Sequence, residues 1–281
     1  MARLTLCRAA VALAVLPLHP LAAQQTAFYP VAPTVIEERL HRVANKNTER
    51  QAALRALFDE AGCPQLTDQA SKGLSTPNVL CTLPGTEAST VVVSAHYDKV
   101  AAGMGAVDNW SGASLLPSLL QSLVGRPHRL TFVFAGFADE ERGLWGSTAY
   151  LKSLKGEERE KLTAEVNIDS VGLGPTKVWV SHADKKLVMA IALVADALKL
   201  PIGAVNADQV GMSDSRPFQD KKIPTIDFHS ITSETLRILH TPRDNLNAIH
   251  LSDYEDTYRL LAAYLAYLDL NWGNPAAFGS K

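Results

Sequence analysis

Thr90-Val91-Val92-Val93-Ser94-Ala95-His96-Tyr97-Asp98 is a run of small and β-branched residues closed by a histidine and an acid. It has no alternating polar face, so it reads as a strand buried on both sides. Strands of that kind belong to sheets covered by helices on both faces. Leu130 to Phe137 is a second buried strand, and Asn78 to Leu83, Ala164 to Ile168, Val178 to Ser181 and Ile223 to Phe228 read as further strands. Between and after them, helices are expected over Trp110 to Val124, with Pro117 as a local irregularity, over Lys185 to Leu198, and over Tyr254 to Leu268. Thr34-Val35-Ile36-Glu37 and Thr48-Glu49-Arg50-Gln51 both fit the capping box and predict two earlier helix starts. The second helix carries Leu54, Leu57 and Phe58 on one face and runs to about Gly62. This alternation predicts one α/β domain: a central, mostly parallel mixed sheet with helices on both faces. In such sheets, sites form just beyond the carboxyl ends of the strands.

The chain has 281 residues, 47% hydrophobic and 20% charged, with a formal net charge of −2. That balance gives no sign of a nucleic-acid partner, which calls for a basic surplus. The amino terminus reads as an export signal: Arg3 and Arg8, then apolar Ala9 to Leu16, then Leu21-Ala22-Ala23 before Gln24. Pro17, His19 and Pro20 cut the apolar run well short of the ~20 residues that span a bilayer. The expected organisation is a signal at residues 1–23, an extended segment at 24–33 and the folded domain at 34–281. The mature protein is then expected in the periplasm or the medium, off the membrane, and no partner protein is evident. Removal of Cys7 with the signal leaves Cys63 and Cys81, an even pair that is expected to form a disulfide in an oxidising compartment.

Several acids and histidines follow the apolar runs. Asp98 lies two residues beyond His96, in reach of its ring edge, the arrangement that orients a metal-binding imidazole. Asp108 sits in the small-residue loop Gly105-Ala106-Val107-Asp108-Asn109-Trp110-Ser111-Gly112, where a lone aspartate would be read as a helix cap. Glu140 and Glu141 are adjacent after the second buried strand. Their side chains point in different directions, so one can ligate a metal while the other accepts a proton from water. Asp169 ends Asn167-Ile168-Asp169, and His240 opens His240-Thr241-Pro242-Arg243-Asp244 in a loop before the last helix. Each residue alone has a bland reading as a turn, cap or surface group. Together they make two imidazoles, three ligating carboxylates and one spare glutamate, a donor set that suits zinc.

The order His-x-Asp, Asp-Asn-x-Ser-Gly, Glu-Glu, Asn-x-Asp and His-Thr-Pro-x-Asp, over about residues 78 to 268, resembles the co-catalytic zinc aminopeptidases. That family includes bacterial leucyl aminopeptidases, the yeast vacuolar aminopeptidase, glutamate carboxypeptidase and the glutaminyl cyclases. The resemblance implies two zinc ions bridged by Asp108, one completed by His96 and Asp169 and the other by Glu141 and His240. It implies Glu140 as general base for a metal-bridging hydroxide, and Asp98 as the partner of His96. Ser213-Asp214-Ser215-Arg216-Pro217-Phe218 resembles the family's Ser-Asp-His-x-Pro-Phe segment, with Ser215 in place of the histidine. Val210 and Leu239 stand where some members place an oxyanion-stabilising tyrosine, which leaves Arg216 or His229 as substrate-binding candidates. The implied function is an exported exopeptidase, foremost an aminopeptidase acting on peptides with a free amino terminus. A carboxypeptidase gripping its substrate through Arg142, Arg216, Arg237 or Arg243 stays open, as does a one-zinc cyclase. A non-catalytic metal-binding protein fits less well, because a closed structural site needs no spare base such as Glu140.

Overall fold

The computed structural model describes residues 28–206 and 211–278. The export signal, and Val210 with it, lie outside the described residues. Helix α1 (Pro33–Leu40) and helix α2 (Asn47–Glu60) come first, then strands β1 (Gln65–Gln69), β2 (Asn78–Leu83) and β3 (Thr90–His96). A π-helical turn, Ala106–Ser111, leads into α3 (Gly112–Leu123). Strand β4 (Thr131–Phe137), α4 (Trp145–Ser153), α5 (Glu157–Lys161), β5 (Leu162–Ile168) and β6 (Lys177–Trp179) follow. The chain continues through α6 (Lys185–Leu198), β7 (Gly203–Val205), α7 (Arg216–Asp220), β8 (Thr225–His229) and α8 (Leu251–Asn271).

The eight strands form one mixed sheet in the order β1-β2-β4-β3-β5-β8-β6-β7. Its central strands β4, β3, β5 and β8 run parallel, with His96 level with Phe137 and Ile168 level with Phe228. Their carboxyl ends therefore share one edge. Alternation along β3 explains why the quoted run has no polar face. Val91, Val93 and Ala95 enter the larger core beneath α2, α3 and α8, while Val92 enters a smaller core with Phe137, Tyr150 and Phe218. Each fully buried valine contributes roughly 1.5–3 kcal/mol. No helix among the described residues is long and apolar enough to cross a membrane.

Both capping boxes are corrected. Helix α1 begins at Pro33, whose ring presets the first helical φ, so Thr34 is already inside the helix. Helix α2 begins at Asn47 and likewise takes in Thr48; neither helix has a side-chain cap. The expected helix from Trp110 begins instead at Gly112, after a turn in which Asp108 and Asn109 are not helical. Strand β6 is confined to three residues and stops short of Ser181.

Cys63 and Cys81 are disulfide-bonded, with Cα atoms 5.9 Å apart and a sequence separation of 18. The bridge fastens the chain just beyond α2 to the middle of β2. A Cys63→Ala/Cys81→Ala variant should lose about 3 kcal/mol of stability, read from its urea midpoint. An unchanged midpoint would show that the core alone holds this corner.

Candidate metal centre

The shared edge gathers the anticipated residues. His96 is the last residue of β3, Asp169 follows β5 directly, and Glu140 and Glu141 lie in the turn after β4. The turn before α3 brings in Asp108, and the loop before α8 brings in His240. Two groups result: His96, Asp108 and Asp169, and Asp108, Glu141 and His240. In each, one donor atom per residue lies within 4.8 Å of the others. Asp108 belongs to both: its Oδ1 is 3.2 Å from His96 Nε2 and its Oδ2 is 3.1 Å from His240 Nε2. His240 Nε2 is also 3.1 Å from Glu141 Oε2. Glu140 belongs to neither group, although its Oε2 approaches His96 Nε2 to 3.9 Å.

Local hydrogen bonding explains the motif around Asp108. Asn109 accepts from the backbone N–H of Gly112 (2.9 Å) and of Ser170 (3.1 Å) and donates to the Ile168 carbonyl (2.9 Å), joining the turn to the end of β5. Ser111 donates to the Val107 carbonyl and accepts from the Val171 N–H. Gly112 allows the close approach, since a Cβ there would lie 2.4 Å from the Ile168 oxygen. Asp244 accepts from the N–H groups of Val107 (2.7 Å) and Asp108 (3.3 Å), which ties the His240 loop to the bridging aspartate.

Asp98 does more than the sequence suggested. His96 Nδ1 lies 3.3 Å from the Asp98 backbone carbonyl and 3.5 Å from its Oδ1, and the two carboxylate oxygens accept the N–H groups of Glu140 (3.0 Å) and Glu141 (3.3 Å). One buried carboxylate thus orients an imidazole on β3 and the glutamate pair after β4. Arg50, on α2, was not singled out. It is fully buried, stacks over Trp110, and donates to the carbonyls of Tyr97, Ala44, Met104 and Gly105. Tyr97 lies between His96 and Asp98, and Gly105 opens the turn that holds Asp108, so one guanidinium locks both segments. A lone arginine on a helix carries no sequence signal for such a role.

Electrostatics follow from crowding. Burial pushes Glu140 up to about 9, with Asp214, Asp169 and Asp108 adding to it against the opposing effect of His96. Burial, then Asp108, raises Glu141 to about 7. Burial alone would lower His96, but Glu140, Asp108, Asp169 and Asp98 hold it well above its ordinary value. The hydrogen bond to Asp108 leads the causes that raise His240 to about 9, and burial opposes it. Burial works against ionisation of Asp108, yet the two imidazoles hold its carboxyl below the usual range. The chain's own cations are too few for this many acids, and Glu141 Oε1 is buried with no hydrogen-bond partner. Divalent cations suit such a set.

A cavity of about 390 Å³ opens over these residues, with walls that include Leu144, Met212, Phe228, Ile231, Leu236 and Leu239. Among the described residues, no lysine or arginine lines it. His229 does line it; its Nδ1 accepts the Ile231 N–H at 3.2 Å, while its Nε2 is buried without a partner. Burial lowers this imidazole to about 4, so at neutral pH it is uncharged with its proton on Nε2. Arg216 is not brought to the cavity: it is half exposed and paired with Asp220 at 2.8 Å.

A mixed sheet with paired carboxylate–imidazole clusters at one strand edge is the architecture of the zinc exopeptidases. The sequence profile of peptidase family M28 matches residues 78–265, and the chain belongs to that family. Aminopeptidase YwaD of Bacillus subtilis is 31% identical over 167 residues, which are 57% of this chain and 36% of that one. The solved structure of a zinc aminopeptidase from Bacillus subtilis superposes with a TM-score of 0.62 at 25% identity, over 68% of this chain and 49% of the other. A glutaminyl cyclase from an Acidobacteriales bacterium shares the fold at 15% identity and a TM-score of 0.71, over 89% and 98% of the two chains. The chain thus spans half or less of the length of these two aminopeptidases.

Arg50→Met keeps the apolar stem and strips the donors from four carbonyls. It should lower stability by about 3 kcal/mol or more, since buried acceptors left unpaired cost about 1–3 kcal/mol each. Denaturant titration measures it, and a loss below about 1 kcal/mol would deny the lock.

Proposed function

We propose that this chain is an exported zinc aminopeptidase that holds two ions, one between His96, Asp108 and Asp169 and one between Asp108, Glu141 and His240. The observation that carries the reading is Asp108, whose two oxygens face two different imidazoles. Carboxylate and imidazole donors suit zinc, and an unligated acid beside them suits catalysis more than a closed structural site. The even cysteine pair and the signal-like amino terminus support export.

When bound, zinc supplies the Lewis acidity that polarises a peptide carbonyl and lowers the pKa of the attacking water. With the neighbouring carboxylates neutralised by bound cations, Glu140 would be ionised and free to take the water proton and return it to the departing amine. Asp98 holds His96 and the Glu140 backbone in register during that transfer. His229 Nε2–H is the neutral donor at the cavity wall for the carbonyl oxygen as it gains charge. The acidic floor receives the ammonium group of a substrate's first residue. Among the described residues no lysine or arginine lines the cavity to grip a terminal carboxylate, which favours the aminopeptidase reading over the carboxypeptidase one. The apolar walls favour an apolar first side chain. A second reading, cyclisation of amino-terminal glutamine, uses the same residues and draws support from the fold match that covers 98% of the cyclase chain.

Zinc analysis should find about two equivalents, and chelation should abolish hydrolysis of free aminoacyl anilides and short peptides. Amino-blocked analogues should be inert; equal rates on blocked substrates would sink the aminopeptidase reading, and turnover of glutaminyl peptides to the cyclic product alone would favour the cyclase. Glu140→Gln should keep its zinc while turnover falls about 10²–10⁴-fold. Near-normal turnover would remove Glu140 from the mechanism.

A further inference from the structure

On the face of the sheet that carries the smaller core, three neighbouring strands turn polar residues inward: Ser94 from β3, Glu165 and Asn167 from β5, and Asp227 from β8. Glu165 is 0% exposed. Its Oε1 is 2.5 Å from Ser94 Oγ and its Oε2 is 2.7 Å from Ser215 Oγ. The same Ser215 hydroxyl lies 2.9 Å from Asp227 Oδ1, which also receives Ser213 Oγ at 2.6 Å and Asn167 Nδ2 at 3.0 Å.

Ser94 Oγ is also 3.1 Å from Asn167 Oδ1, but its shorter contact is to Glu165; the two Ser215 contacts can both be made only with one extra proton. Ser215 has a single hydroxyl hydrogen and lies between two carboxyl groups, so it can donate to one and must accept from the other. Asp227 already has two other donors aimed at it and is the natural acceptor. Glu165 has only Ser94 besides Ser215, and no lysine, arginine or histidine pairs with it among the described residues. We propose that Glu165 is a neutral carboxylic acid whose Oε2–H donates to Ser215, and that through this bond it positions the Ser213-Asp214-Ser215 turn against the candidate metal centre. Burial acts in the same direction, holding Glu165 well above the carboxylate range, with the Asp227 and Asp214 charges adding to it.

The turn matters to the site in two ways. Ser213 lines the cavity, and buried Asp214 contributes to the high proton affinity of Glu140. Glu165 touches no reacting group; it is a positioning residue.

The test uses zinc-loaded protein with three variants. Glu165→Gln presents an N–H to Ser215 as the acid presents its O–H, and should keep kcat/KM within about twofold. Glu165→Leu and Ser215→Ala should each lose about tenfold or more. Those activity readings rest on the proposed function; the stability reading does not. A folded-state proton retained above the unfolded pKa makes native Glu165 progressively unfavourable as pH rises. The urea-derived folding constant of Glu165→Gln should therefore gain on that of the unmodified protein as pH rises above the ordinary carboxylate range, by up to about tenfold per pH unit. A gap that does not change with pH, a Glu165→Gln variant as damaged as Glu165→Leu, or a fully active Glu165→Leu would each overturn the proposal. If Glu165→Leu does not fold, the pH profile of Glu165→Gln decides alone.

Discussion

Like charges in one small, poorly hydrated volume are the constraint around which this molecule is organised. Asp98, Asp108, Glu140 and Asp214 are largely buried within reach of the same strand edge, with Glu141 and Asp169 beside them. Ionised together and unaccompanied they would repel strongly, because interactions between charges grow as solvent is withdrawn. The chain manages them in several ways: two imidazoles between carboxylates, backbone N–H groups on Asp98 and Asp244, and a guanidinium behind the site at Arg50. Even so, Glu140 and Glu141 hold protons far above their ordinary range. The residual imbalance is one that divalent cations suit.

The scaffold follows from that load. Parallel strands deliver their carboxyl ends to one line, and a sheet buried on both faces resists the splaying that repulsion would produce. Backbone polar groups near the site are also recruited. Arg50 donates to four carbonyls around the site, and Asn109 uses both ends of its amide to join the turn before α3 to the end of β5. Burying a cation beneath an acidic site is unusual on desolvation grounds, and burial does lower Arg50 to about 10. It remains charged at neutral pH, helped by Asp98, Asp244 and Asp108.

The ligand candidates were legible because each follows an apolar run or sits in a small-residue loop, and because their order along the chain is distinctive. Leu54, Leu57 and Phe58 were legible as a buried face for the usual reason of helical spacing. Residues whose partners are remote were not. Arg50 reaches carbonyls 47 to 55 positions away, and Glu165 meets Ser94 and Ser215, 71 and 50 positions away. Nothing local marks either residue as exceptional. Strand β1, Gln65-Leu66-Thr67-Asp68-Gln69, escaped notice because an edge strand facing solvent has no apolar signature. The capping boxes misled in the opposite way: a matching pattern lay one residue inside helices that start earlier.

The two halves of the centre are unequal in their access to water. His96 is 2% exposed at its side chain, whereas His240 is 55% exposed and sits on a residue with φ of 56° in a loop. The group of Asp108, Glu141 and His240 therefore meets water through its imidazole, while the group of His96, Asp108 and Asp169 has its imidazole walled in at the end of β3 beside Asp98.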